Sequence, residues 1–425
     1  MVLHLNMLAE RFPELTEHSV APPALGPFLG IEQAEHEISD VCAAGGAPAA
    51  AFALLGNVMV REGRYVDALE AYRSAADLDP SDPLAHWACA EIAHVLADET
   101  TSRRYRARAL ALRRVFPDPL PVGTRTPILL LLRDAPYSVN TPLELLLDRS
   151  RVAVHKYYVE GDPHPPLPPY ALALCAFGSA AGAREATRRA GAFLAGAPAT
   201  INDPGRLRGI ARETLATTLG AVDGVVVAHA SVVEHAQAGG IALPALVRPV
   251  DTHAGEGFAY VTGDADLRVH LTRFPAERYY RSDFVETRGS ENMYRKFRAI
   301  FVDGVAYPYH LAIAPQWMVH YQSSPMHESA ALRDEERAFL EHPARFFPAW
   351  DRAMPRIARA IGLDYFGIDA TVLPDGRLFV FEADAAMLVH DEDARGVFAY
   401  KRPYVARIRE ALHGAIASRT RPRTR

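Results

Sequence analysis

Cysteine is scarce: Cys42, Cys89 and Cys175 are the only three in 425 residues, far apart and with no CxxC pair. That excludes a disulfide framework and a thiolate zinc site, and it favours a reducing, cytoplasmic setting. Long apolar runs are missing as well. The longest uninterrupted one, Ile128 to Leu132, falls far short of the ~20 residues that span a bilayer, so no membrane partner is expected. The first residues carry Glu10 and Arg11 and lack the basic-then-apolar order of a signal segment. Neither charge is in excess: 46 Lys+Arg against 51 Asp+Glu leave a net charge of −5, which argues against a nucleic-acid partner. What is present, 49% hydrophobic and 23% charged residues, is an ordinary globular composition. A chain of 425 residues is too long for one core, so a soluble protein of several domains is expected.

The text from Ala51 to Pro80 is helical and alanine-rich. It resembles a tetratricopeptide repeat, with Phe52, Leu55, Gly56, Ala68, Tyr72, Ala75 and Pro80 at that repeat's offsets. Small Gly56 and Ala68 let two helices approach, and Tyr72 fills the space beside them. A looser second copy, Asp82 to Pro117, keeps Trp87, Ala90 and Ala109. Such repeats are marginal below about three units, so residues 1–50 are expected to add a capping helix or a worn repeat. A plain helical bundle is the alternative. Pro117, Pro119 and Pro121 end the helical text and set a domain boundary at 120/121. Short buried-strand runs at Ile128–Leu132, Ala171–Phe177 and Ala199–Ile201 then alternate with helical text such as Ala183–Leu194. Residues 121–220 therefore read as an α/β domain with a mostly parallel sheet. From 221 to 425 strands dominate, at Gly224–His229, Ala245–Pro249, Phe258–Thr262, Arg298–Val302 and a hairpin over 368–384. Helices return at Leu332–Leu340 and Trp350–Ile361, which makes this an α+β domain. Arg419 to Arg425 reads as a frayed tail.

The hairpin is the most informative segment. Pro374-Asp375-Gly376 is a turn signal between two alternating apolar runs. A two-residue loop at Asp375-Gly376 sets Pro374 opposite Arg377 and, counting outward, Asp369 opposite Glu382. Asp384 then shares the face of Glu382. Like charges opposed on a sheet destabilise it unless something neutralises them. An all-oxygen set suits Mg²⁺, with Mn²⁺ acceptable, and a solvated acidic strand end is the bland alternative.

Upstream lies text suited to phosphate. Arg248 closes the strand Ala245–Pro249, and Gly255 and Gly257 follow in Asp251–Phe258, where glycine lets backbone N–H groups turn toward an anion. A glycine hairpin beside a surface arginine competes with that view. In the strand from Tyr294, Arg295, Phe297 and Ala299 share one face, and Lys296 and Arg298 the other. Between these stretches Ser282-Asp283-Phe284-Val285 offers backbone hydrogen bonds to an adenine edge.

In this order, together with Asn202-Asp203-Pro204, these motifs resemble the ATP-grasp superfamily from about residue 125 to the C-terminus. The glutathione-synthetase-like and ribosomal-protein-modifying glutamate-ligase branches are the most similar. The resemblance implies an α/β pre-ATP-grasp substrate domain followed by an α+β ATP-grasp domain. It also implies ATP and Mg²⁺ as cofactors, and a carboxylate and an amine acceptor as substrates. By position it implies Asp369, Glu382 and Asp384 as metal ligands and Asp283 and Val285 at the adenine. Arg212, Arg248 and Arg298 fall on the phosphates, and His253, Gly255 and Gly257 in a loop closing over them. Arg295, His310, Trp317 and His320 fall near substrate, with Glu286, Glu291 and His390 as neighbours. Three positions depart from the pattern: Arg248 and Arg212 stand where lysine is usual, and Asp384 stands for asparagine. The implied activity is an ATP-dependent ligase joining a carboxylate to an amine. A phosphotransferase on the same fold, or a repeat-based interaction protein with a vestigial ATP site, are the alternatives. The repeats suggest a peptide or carrier-protein partner, and a homodimer or a lid would account for them equally.

Overall fold

In the first repeat, the glycine foreseen as a helix contact is one. Gly56 lies on α1 (Pro48–Arg61) and Tyr72 on α2 (Tyr65–Leu78), and a Cβ on Gly56 would stand 2.6 Å from the Tyr72 ring. The Tyr72 hydroxyl donates to Asn57 Oδ1 at 2.6 Å. Gly56→Ala is therefore expected to cost about 1–3 kcal/mol through overpacking, outweighing the ~1 kcal/mol of helix propensity it gains. A lower denaturant midpoint at unchanged slope checks this.

This computed structural model describes residues 48–421 apart from 137–138, 141–142, 162–164, 179–182, 251, 253–256, 290, 322–323, 386, 388 and 390–395. The expected capping element before residue 48 lies outside the described residues, as does Cys42. The chain forms two compact units that meet in sequence at Ala171/Leu172.

In the first unit, α3 (Pro83–Val95) and α4 (Glu99–Leu112) form the second helix pair. Both start on an aspartate cap: Asp82 accepts from the Leu84 and Ala85 N–H groups, and Asp98 from that of Thr101. Trp87 packs on Tyr158, ring centroids 4.6 Å apart, and edge-on against Phe116. Strand β1 (Val115–Phe116) runs antiparallel to β3 (Val152–Tyr158), which runs parallel to β2 (Thr126–Leu132). Strand β3 escaped the sequence reading because His155 and Lys156 interrupt its apolar text, yet both are buried. Asp118 anchors this region. Its buried carboxylate accepts from the Leu120 N–H at 2.9 Å and the Val154 N–H at 2.7 Å, and pairs with Arg125 and Arg149.

The second unit opens with β4 (Leu172–Cys175) parallel to β5 (Thr200–Ile201), flanking α5 (Arg184–Leu194). Asn202 follows at φ +63° and is fully buried. Its amide donates to the Tyr365 carbonyl at 2.8 Å and accepts from the Tyr365 N–H at 2.8 Å. One side chain thus clamps the start of the hairpin strand far along the chain. Then come α6 (Arg212–Leu219), β6 (Val225–Val227), β7 (Ala230–Glu234), β8 (Ala245–Pro249), β9 (Ala259–Val261), α7 (Asp264–Arg273) and β10 (Arg278–Ser282). Strands β7-β10-β8-β9 make one antiparallel sheet. The second sheet has the order β12-β11-β13-β14-β6, from β11 (Tyr294–Val302), β12 (Val305–Ala314), β13 (Tyr365–Val372) and β14 (Leu378–Asp384). Helices α8 (Ala330–Glu341) and α9 (Trp350–Ile361) cover it, with Phe297 of β11 against Phe339 and Trp350. On α9 the buried Trp350, Ala353, Met354, Ile357, Ala358 and Ile361 keep helical spacing, and Gly362 ends it in the left-handed region.

Three expectations need correction. The hairpin loop is one residue longer than expected: Leu373, not Pro374, faces Arg377 through an N–H···O bond of 2.8 Å, and Val372 pairs with Leu378. A bulge past Ala370 and Val380 then restores the register, so Asp369 does face Glu382. No element is expected from the sequence over 305–314, which forms strand β12, with Pro308 beside a bulge on an edge strand, where proline costs no ladder bond. The tail is not frayed at Arg419. Helix α10 (Arg402–Thr420) carries that residue into ion pairs with Asp303 and Asp364.

Candidate nucleotide and metal site

The alternation of β11 decides which side chains meet. Lys296 and Arg298 point to the face that carries Asp369 of the neighbouring β13. Arg298 Nε lies 2.7 Å from Asp369 Oδ1 and its Nη2 3.1 Å from Oδ2, while Lys296 Nζ lies 3.0 Å from Oδ2. Across the hairpin, Glu382 accepts from Arg212 at the start of α6. Asp369 is buried, and burial alone would raise its acidity constant's pKa. The adjacent Arg298 and Lys296 overcome that and hold the carboxyl far below the usual range. Glu382 is likewise lowered, against burial and the nearby Asp369, by Arg212, Lys296 and Arg298. The face therefore sets two opposed carboxylates between cations, Lys296 and Arg298 on one side and Arg212 on the other, and these cations stabilise the ionised forms of both.

Arg248 comes from the other sheet of this unit, on β8. It is buried, bonds Thr252 through its side-chain and backbone oxygens, and lies over the Phe258 ring at 5.6 Å. Thr252 and Phe258 flank the glycine loop, so one guanidinium holds both of its ends. His253 and Gly255 lie outside the described residues, as do Glu256 and His390. Gly257 has φ +58°, and a Cβ there would meet Pro249 at 2.7 Å, so this glycine has a packing reason as well. His320 links the two sheets electrostatically. Burial lowers its pKa, Lys296 and Arg248 lower it further, and Glu382 and Asp369 oppose them. It is neutral near pH 7 and close enough to feel all four charges.

Other expected site residues fall differently. Arg295 lies on the opposite face of β11, where Glu335 and Glu291 pair with it and raise its pKa. The structure does not bring it to the cluster. Arg295→Gln is expected to cost about 1 kcal/mol of stability and to leave nucleotide affinity within twofold, as calorimetry with a non-hydrolysable ATP analogue would show. Asp283 is exposed and ion-paired with Arg281, and its N–H donates to the His229 carbonyl at 3.3 Å. Its neighbour Phe284 stacks on Tyr260 at 4.2 Å and meets Trp317 edge-on. Val285 is half-buried beside it. Trp317 thus belongs to an aromatic group with Phe258, Tyr260 and Phe284. His310 on β12 stands opposite Arg298 in the ladder and is buried.

The three hairpin carboxylates share a face, but they are not gathered round one point. Among the described residues no three His, Cys, Asp or Glu side chains converge as a metal ion requires. Asp384 pairs in the ladder with Gly367, and its Oδ1 lies where a Cβ on Gly178 would come within 2.5 Å. The donors are all oxygen, and two of them, Asp369 and Glu382, oppose each other beside basic groups that already stabilise their ionised form. That donor set fits a hard divalent cation such as Mg²⁺. Lys296 is the residue the sequence reading undervalued, although its shared face with Arg298 was the available signal. Burial pushes the Cys89 and Cys175 thiols up to about 12, which keeps both protonated near pH 7.

Residues 56–94 match the family model described as TPR repeat. No curated protein matches the chain. Among solved structures the chain is similar to a RimK-domain ATP-grasp protein from Sphaerobacter thermophilus, with 16% identity, 69% of this chain and 99% of that one covered, and a TM-score of 0.39. It is also similar to the VanG D-Ala:D-Ser ligase of Enterococcus faecalis (10% identity, 68% and 99% covered, TM-score 0.43). A third is the D-alanyl-alanine synthetase A of Vibrio cholerae (12% identity, 70% and 99% covered, TM-score 0.45).

Proposed function

We propose that this chain is an ATP-dependent carboxylate–amine ligase of the ATP-grasp type. The observation that carries the reading is the face on which Lys296, Arg298 and Arg212 enclose the opposed carboxylates Asp369 and Glu382, with Arg248 offered from a second sheet. Cations in that number suit a polyphosphate. Arg298, Lys296 and Arg212 would exchange carboxylate partners for phosphate oxygens, and Arg248 would join them from β8. A divalent cation held between Asp369 and Glu382 would supply further neutralisation of phosphate charge, with Asp384 left outside that opposed pair. The substrate carboxylate oxygen attacks the γ-phosphorus, and the oxygen bridging to the β-phosphate leaves with ADP. The amine nitrogen then attacks the acyl carbon, phosphate leaves, and an amide forms. Arg298 and Lys296 stabilise charge on the transferred group, and the fold supplies position. His320, held neutral, accepts the proton that the amine sheds. His310 and Trp317 line the substrate side.

The division into a repeat domain to residue 120, a substrate domain over 121–220 and a nucleotide domain over 221–425 belongs to the same reading. The repeats favour a peptide or carrier protein as one substrate, because the concave side of such arrays holds extended segments. Incubation with Mg-ATP and pooled amino acids, small carboxylates and peptides tests the proposal. Pool-dependent ADP with matching free phosphate is the expected result. ADP without matching phosphate would make the protein a phosphotransferase, and no turnover with any pool would remove the ligase reading.

A further inference from the structure

Glu336, in the middle of α8, is fully buried, although nothing in the proposed chemistry uses it. A carboxylate in that position costs several kcal/mol unless charge and hydrogen bonds compensate it. Here both do. Oε1 accepts from the Leu311 N–H at 3.0 Å and lies 3.7 Å from Lys401 Nζ. Oε2 accepts from the Tyr321 hydroxyl at 2.9 Å and from that of Tyr400. Lys401 is 1% exposed, and its ammonium lies 4.2 Å from the Tyr321 ring centre and 5.2 Å from that of Tyr309. One carboxylate therefore ties together strand β12, the segment after it, helix α8 and the entry to α10.

Two of these four ties adjoin the histidines of the candidate site. Leu311 follows His310, and Tyr321 follows His320. The His310 ring sits between the rings of Tyr309 and Tyr321, at 5.1 and 4.8 Å, and its strand position faces Arg298. The segment carrying His320 is also held by apolar packing, with Trp317 and Tyr321 against Tyr294, Ala312, Ala314 and Val319. Apolar contact fixes where that segment lies but leaves its rotation soft. The directional bonds to Glu336 fix the rotation.

We infer that Glu336 is a positioning residue of the candidate site, setting the His310 and His320 rings against Arg298 and Asp369 through Leu311 and Tyr321. The inference rests on the ligase reading for its catalytic meaning, but not for its test. The sequence gives no hint of it, since Glu336 and Tyr400 are 64 positions apart.

Imidazole resonances of the full-length protein labelled with [15N]histidine provide the test, assigned with His310→Gln and His320→Gln. Glu336→Gln is expected to displace both resonances. It should leave affinity for a non-hydrolysable ATP analogue within twofold and lower pool-dependent ADP release at least tenfold. Tyr321→Phe, which keeps three of the four partners, is the gentler variant and should displace the His320 resonance in a protein that melts normally. Tyr400→Phe removes the other hydroxyl bond to the same oxygen but touches neither histidine segment, and should displace neither resonance. Unmoved resonances in folded Tyr321→Phe would overturn the inference. So would displacement by Tyr400→Phe as large as by Tyr321→Phe, because that would mark a general loosening. Wild-type protein that releases no ADP would overturn the ligase reading separately, with the resonances still deciding the role of Glu336.

Discussion

Glu382→Ala is expected to abolish substrate-dependent ADP release while leaving the protein folded. The two halves of that expectation come from different features of the residue. Glu382 stands opposite the buried Asp369, accepts from Arg212, and lies in the field of Lys296 and Arg298. In the proposed ligase it is the carboxylate that would hold the metal against the phosphates, and losing one such electrostatic group typically costs roughly 10²–10³ in rate. Its own pair with Arg212 is only partly buried, with side-chain exposures of 32% and 36%, so the loss of stability should stay within about 1 kcal/mol. Glu382→Gln keeps the size and one carbonyl oxygen but not the charge, and should fall between wild type and alanine. Calorimetric titration with Mg²⁺ and a non-hydrolysable ATP analogue separates binding from chemistry. Wild-type ADP release from Glu382→Ala would remove the metal assignment, whatever became of the rest of the site.

How far the sequence reached depended on the range of the interactions involved. Local periodicity located the repeat helices, β8, α9 and the hairpin strands, because each buries one face and shows it as a spacing of two or of three to four. The pairing of Asp369 with Glu382 came out correctly for an instructive reason. The loop is one residue longer than a two-residue turn, and the bulge at Phe381 cancels the shift. Counting from the turn therefore gave the right partners near the open end and the wrong ones near the loop. The face of Lys296 was readable from alternation, but charge alone suggested the arginines on either side of it, and Arg295 proved to be on the helix-covered face. Strands β3 and β12 were hidden because their polar residues are buried against partners from elsewhere: His155 against Asp118, and His310 against the rings of Tyr309 and Tyr321. No pattern within a short window encodes such pairs. The same holds for Asn202, whose clamp on Tyr365 spans 163 positions, and for Glu336.

The largest loss of stability should come from Asp118→Asn. The carboxylate of Asp118 accepts two backbone N–H groups and pairs with Arg125 and Arg149, all in a buried setting. Asparagine has the same shape, but its amide N–H₂ would face donors, and two arginines would be left without their counter-charge. Breaking a buried pair in this way costs about 3–5 kcal/mol, a large share of the roughly 5–15 kcal/mol that holds a folded domain together. The pH dependence identifies the cause. Burial opposes ionisation of Asp118, but the Val154 and Leu120 N–H groups and the two arginines prevail and lower its pKa. A carboxylate whose folded pKa is depressed contributes stability above its unfolded pKa, about 3.9, and loses it as pH falls through the folded value. The gap in unfolding free energy between wild type and Asp118→Asn should therefore be flat above about pH 5 and narrow below about pH 4. His155 adds a separate step at higher pH. Its Nδ1 accepts the Asp118 N–H at 3.0 Å, and burial lowers its pKa, with Asp118 raising it and Arg125 and Arg149 lowering it. The unfolded chain takes up that proton first, so stability should begin to fall as pH drops below about 6.5. His155→Gln should erase the upper step and leave the lower one, and urea unfolding curves at successive pH values would show the two apart. A gap that stayed constant down to pH 3 would mean that Asp118 acts through its shape and hydrogen bonds alone.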